Sequence, residues 1–89
     1  MGTVVMKIKL MPESPETDLK KIEENVRKVI DGFGVKLHEL EKQAIAFGLI
    51  ALIITVVWPE EKDPDLLENA LRSITDVQSV EITDVRRLL

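Results

Sequence analysis

Apolar and polar residues alternate near the start of the chain: from Thr3 to Met11 (TVVMKIKLM), Met6, Ile8 and Leu10 are separated by Lys7 and Lys9. Period two is the pattern of a strand with one buried face, so both lysines are expected on the open face of a sheet. Pro12 to Pro15 interrupts it. Ser14-Pro15-Glu16 then has the makings of a helix start: a capping hydroxyl, a proline in the first turn and an acid near the positive end of the dipole. Leu19, Ile22, Val26, Val29 and Ile30 follow at helical spacing, one apolar stripe on a charged helix. Asp31-Gly32 is expected to end it, with Gly32 as the left-handed residue beyond the last turn and Gly34 a second hinge after Phe33. Val35 to Lys42 mixes Val35, Leu37 and Leu40 with Lys36, His38, Glu39 and Glu41, and predicts an irregular edge strand guarded by its charges.

Next comes the most apolar stretch, Gln43 to Trp58 (QAIAFGLIALIITVVW), without a charge from Ile45 onward and rich in Ile and Val in its second half. β-Branched residues and the stop at Pro59 favour a strand buried on both faces. A hairpin turn between Glu41 and Phe47 should join it to the edge strand, although no Asn-Gly fixes its place. Pro59 to Lys62 is a polar loop, and Asp63-Pro64-Asp65 is a second capped, proline-started helix with Leu66, Leu67, Ala70, Leu71 and Ile74 as its stripe. Thr75-Asp76 turns the chain into a last strand, where Val80 and Ile82 point one way and Ser79, Glu81 and Thr83 the other.

Two helices with one apolar stripe each cover one face of a four-stranded sheet. With right-handed crossovers this order gives an α+β, ferredoxin-like βαββαβ sandwich: an antiparallel sheet in the order 4-1-3-2 with both helices on one face. The long apolar strand then lies inside the sheet, as its composition requires. Its second face has two readings, a partner surface or a central strand with a few exposed apolar residues. The core should hold Met6, Ile8, Leu10, Leu19, Ile22, Val26, Leu67, Leu71, Ile74, Val80 and Ile82.

Composition narrows the chemistry. The 89 residues suit one domain, 1–89, and 45% hydrophobic content suffices for a core. With no cysteine there are no disulfides, thiolate metal sites or cysteine nucleophiles, which fits a reducing, cytoplasmic setting. No basic segment followed by an apolar one stands at Met1, and the apolar run is short and broken by Gly48, so neither a signal peptide nor a membrane span is expected. A net charge of −4 with two Phe, one Trp and no Tyr argues against nucleic-acid binding. His38 has no second histidine or cysteine to share a metal and is expected on a strand surface; no metal or cofactor is expected. No Ser–His–Asp order and no glycine-rich phosphate motif appears, so no enzyme chemistry is supported. Two features stand apart. Phe47, in Ala46-Phe47-Gly48, is either core or an exposed anchor. Arg86-Arg87, near the end of an acidic chain, is either a solvated tail or a positioned cation.

MKIKLMPESPETDL, IAFGLIALIITVVW and DVQSVEITDVRRLL, in that order and spacing, resemble the archaeal-type elongation factor 1-beta family. The resemblance runs from the first strand to the last residue. It implies the ferredoxin-like fold and a guanine-nucleotide exchange factor for the elongation factor 1-alpha GTPase in protein synthesis. It implies a phenylalanine contact at Phe47. It also implies that Arg87, with Arg86 beside it, stands where eukaryotic relatives use a lysine to disturb the GTPase's magnesium site. Arg keeps the charge but is planar and larger than Lys. Phe47 and Arg87 should lie at opposite ends of the sheet, about 30 Å apart or more. The alternative is a small ferredoxin-like ligand-binding or oligomerisation module, its open face paired with another copy.

Overall fold

In the computed structural model, which describes residues 2–88, six elements follow in the expected order. They are β1 (Thr3–Pro12), α1 (Leu19–Phe33), β2 (Lys36–Ala44), β3 (Ile50–Pro59), α2 (Pro64–Arg72) and β4 (Val77–Leu88). The sheet order is β2-β3-β1-β4 and every neighbouring pair is antiparallel. This is the ferredoxin-like arrangement.

The core is one layer. Met6, Ile8 and Leu10 of β1 and Leu52, Ile54, Val56 and Trp58 of β3 meet Ile22, Val26 and Ile30 of α1 and Leu67 and Leu71 of α2. Fully burying a side chain of this kind contributes about 1.5–3 kcal/mol, so this layer dominates the stability. Leu19 and Ile82 are only partly buried at its margin. Periodicity placed the residues of β1, α1 and α2 correctly, whereas Leu52, Ile54, Val56 and Trp58 come from the apolar run that composition alone marked as buried, and were not among the core residues expected by number.

The local punctuation differs from expectation in three places. Helix α1 is capped by Asp18, whose carboxylate accepts the Lys20 N–H at 3.0 Å. Ser14 instead closes a turn with Thr17, donating its own N–H to the Thr17 hydroxyl at 3.2 Å while its carbonyl accepts the Thr17 N–H at 3.2 Å. Two hydroxyl residues three apart satisfy each other's backbone, so the helix waits for the carboxylate. At the other end Gly32 stays helical, and Gly34 takes the left-handed position with φ 70°. Those two extra helical residues carry Phe33 to Trp58, whose ring it meets edge-on with centroids 5.5 Å apart.

The third difference is the apolar run, which is not one strand. Its first residues finish β2, the turn occupies Ala46 to Leu49, and β3 begins at Ile50. The second face of β3 is largely closed without a partner. Ala51 and Thr55 are buried and Ile53 and Val57 half-buried. Their cross-strand neighbours are Lys7 and Lys9 on β1 and Glu39 and Glu41 on β2. Long charged side chains flank the row with their stems and keep their heads in water.

Three irregularities shape the edge strands, one of them at the start of β4, between Val77 and Ser79. Pairing of β2 with β3 slips around His38, between Leu37 and Glu39. Pairing of β4 with β1 slips between Ile82 and Asp84, leaving Thr83 as an extra residue. The Thr83 hydroxyl donates to the Lys7 carbonyl at 3.2 Å and pins that bulge.

The two glycines near the end of α1 should respond oppositely to alanine. Gly32 is helical with open space at its Cβ position, so Gly32→Ala should stabilise by about 0.5–1 kcal/mol. Gly34→Ala should destabilise by about 1–2 kcal/mol, the cost of a left-handed L-residue. Urea denaturation of both variants checks this; equal effects would contradict the capping geometry.

Candidate functional site

The β2–β3 tip is a tight turn closed at both rungs. The Ile45 N–H donates to the Leu49 carbonyl at 2.9 Å and the Leu49 N–H to the Ala46 carbonyl at 3.0 Å. The two central residues, Phe47 and Gly48, both have positive φ, 57° and 79°, the backbone hand that matches the twist of a two-residue hairpin. Gly48 accepts it freely, and its Cα side rests near Pro15. Phe47 does not: a left-handed L-residue costs about 1–2 kcal/mol. Nor does it recover that cost by burial, since it is 94% exposed, with Ile45 and Ile50 at 39% and 37% beside it. A bulky aromatic is thus held in a strained conformation with its ring left to solvent. Of the two sequence readings of Phe47, the structure excludes core. Among the described residues, three of the five exposed large apolar ones, Ile45, Phe47 and Ile50, gather at this tip, with Leu66 on α2 and Val85 on β4 apart from it.

Arg86 and Arg87 lie at the other end. They pair with Val5 and Val4 of β1. Val4 also pairs with Trp58, so Arg87 shares the helix-side face with that tryptophan while Arg86 shares the open face with Asp84. Each is ion-paired within the fold. Arg86 Nε donates to Asp84 at 2.9 Å, and an Arg87 terminal nitrogen donates to the Glu60 carboxylate. Val85, the apolar residue just before them, is 54% exposed, and the Leu88 side chain lies outside the described residues. What fixes the end is the backbone ladder from Val4 and Val5 to Arg87 and Arg86.

Sequence reasoning passed over the loop after β3, which organises this end. Its Glu60 N–H donates to the Gly2 carbonyl at 2.9 Å. Trp58 Nε1 donates to the Lys62 carbonyl at 3.0 Å. Lys62 Nζ donates to the Phe33 carbonyl at 3.1 Å and sits 5.9 Å from the Trp58 ring centroid. The only sequence signal was a lone tryptophan four residues before a lysine. β3, 10 residues long, separates this end from the tip by about 30 Å at roughly 3.3 Å per residue, in a molecule whose longest dimension is 42 Å.

The open face between them is polar and mixed in sign. Lys7 and Lys9 face Asp84 and Glu81 across β4. On β2, Glu39 holds the Glu41 carboxyl above its ordinary pKa by a shared hydrogen bond and like-charge repulsion, with Lys7 opposing. His38 is exposed, and among the described residues no group of three or more His, Cys, Asp or Glu could hold a metal. Among them, too, no helix is long and apolar enough to cross a membrane.

Phe47→Gly removes the ring and the strain together. Relief of the left-handed cost offsets the extra freedom of the unfolded chain, so stability should fall by no more than about 0.5 kcal/mol. Phe47→Val, with a branched Cβ in the same conformation, should be the less stable of the two in denaturant titrations. For Glu41, a carboxyl raised in the folded state favours folding at pH below its unfolded value and loses that contribution as pH rises through the raised value. Glu41→Gln should therefore gain stability relative to the parent on going from acid to neutral pH. A constant difference across that range would contradict the Glu39–Glu41 coupling.

The chain matches the family described as "EF-1 guanine nucleotide exchange domain" over residues 5–88. It is 42% identical to the elongation factor 1-beta of Methanothermobacter thermautotrophicus, covering the whole of both chains. It is also 42% identical to that of Haloarcula marismortui, covering 99% of this chain and all of the other. Among solved structures, the ACT domain from GTP pyrophosphokinase of Chlorobium tepidum superposes with a TM-score of 0.63 at 18% identity, covering 94% of this chain and 96% of that one. That likeness concerns the fold alone.

Proposed function

The chain belongs to the EF-1 guanine nucleotide exchange family, and from that premise we propose that it promotes GDP release from the elongation factor 1-alpha GTPase during protein synthesis, gripping it with Phe47 and acting with Arg87. The observation that carries the residue assignment is the pair of ends just described. An exposed, strained aromatic and a positioned cation occupy opposite ends of one sheet, a footprint suited to a GTPase held at two places.

The action is physical rather than chemical, so the protein is not an enzyme in the bond-making sense. Factor and nucleotide are two ligands of one GTPase. A factor that weakens GDP binding is itself weakened equally by GDP. Magnesium neutralises the nucleotide phosphates, and a guanidinium brought to that pocket competes with the metal for the same negative charge. Phe47 supplies affinity, because an aromatic inserted into a partner's pocket recovers the burial it lacks in the free chain. A strand end paired on its ladder delivers the cation without the ordering cost of a loose tail. The acidic net charge of −4 makes the GTPase, rather than the nucleic acid it carries, the surface this chain addresses.

GDP release from elongation factor 1-alpha carrying a fluorescent nucleotide tests the reading. The parent should accelerate release; no acceleration would refute it. Phe47→Ala should weaken complex formation by at least about tenfold, the loss typical of an anchor. Arg87→Ala should bind nearly normally yet release GDP slowly, Arg87→Lys should keep much of the rate, and Arg87→Glu should abolish it. If Arg86→Ala is the inactive variant instead, the cation remains and the assignment moves by one residue.

A further inference from the structure

We propose that Glu60 is a positioning residue for Arg87, holding its guanidinium ordered before the GTPase arrives; the inference rests on the exchange role just given to Arg87. Arginine on an exposed strand end has four rotatable bonds and loses much of its rotamer freedom when fixed. Here the fixing is done within the free chain. Arg87 donates through one terminal nitrogen to the Glu60 carboxylate. Its remaining N–H groups have no partner among the described residues and stay available to a phosphate or carboxylate of the partner.

Glu60 is itself held. Its backbone N–H is bonded to the Gly2 carbonyl, and the loop behind it is tied to Trp58 and, through Lys62, to the last turn of α1. Its second carboxylate oxygen lies 2.5 Å from where a Cβ on Gly2 would stand. A side chain on Gly2 would therefore push that oxygen aside. Gly2, Glu60 and Arg87 come from the residue before β1, the residue after β3 and the end of β4, and they meet because Val4 pairs with both Trp58 and Arg87.

Two variants disturb the carboxylate by different means. Glu60→Ala removes it, and Gly2→Ala displaces it while leaving its charge. Both should slow GDP release at saturating factor by about two- to fivefold, the range of an exposed ion pair, with complex formation and melting temperature unchanged. Glu60→Ala combined with Arg87→Ala should be no slower than Arg87→Ala alone. A spectroscopic readout separates positioning from mere stability. The Arg87 Nε–Hε resonance, assigned by its loss in Arg87→Lys, should report a rigid side chain in the free parent and an averaged one in Glu60→Ala. If Arg87→Ala releases GDP at the parental rate, the role of Arg87 fails and the inference with it. If Arg87→Ala is slow but Glu60→Ala is not, or if the Arg87 resonance is equally mobile in both proteins, the inference alone is overturned.

Discussion

The buried row of β1 and β3 against the two helices is the constraint on which the remaining geometry depends. Met6 pairs with Val56, Ile8 with Ile54 and Leu10 with Leu52, and each pair lies under α1 or α2. A slip of one residue would turn the whole row to water, so the register is held by the largest favourable term in the fold. Because β1 also pairs with β4, the same register sets where the last strand stops and which β1 residues its arginines meet. The position of an exposed cation at one end is thereby inherited from apolar packing in the middle.

The two ends meet the demands of exposure differently. At the hairpin tip, a strained backbone presents an aromatic ring that the fold does not cover. At the opposite end, a lattice of polar contacts ties three strand ends and the last turn of α1 together through Glu60, Trp58 and Lys62. In the role proposed, the first loses solvent against the GTPase and the second holds a charge still. An exchange factor needs both, since affinity without a disturbing group would leave the nucleotide in place.

Element order, sheet order and the core residues of β1, α1 and α2 were legible in the sequence, because periodicity reports directly on burial; in the uniformly apolar β3 no period told Leu52, Ile54, Val56 and Trp58 from their neighbours. The turn at Ala46 to Leu49 was less so. Apolar residues continue from Gln43 to Trp58 across it, and the Phe47-Gly48 pair is not a usual turn signal. The helix start was misplaced for a related reason, since Ser14-Pro15 has the residues of a cap but spends its hydroxyl on Thr17. Phe47, Arg86 and Arg87 were visible as residues out of keeping with their surroundings. Glu60 was not. A glutamate in a polar loop carries no local mark, and its partners lie far away in sequence at Gly2 and Arg87.

One small feature decides which arginine shares a face with Trp58. Counting by twos along β4 from Val80 and Ile82, the next inward side chains would be those of Asp84 and Arg86. Thr83, the unpaired residue, resets the parity, so that Val85 and Arg87 turn inward instead. A relative of the same length whose β4 paired without the bulge would present the other arginine to the Trp58 side, whereas one that had merely lost Thr83 would keep Arg87 there. A lone basic residue in the unbulged relative would have to stand one position earlier to keep its charge in the same place. Loss of the bulge at constant length and a charge shift at the end of β4 are thus expected to be inherited together. Aligning such chains by residue identity alone would pair side chains that face opposite sides of the sheet.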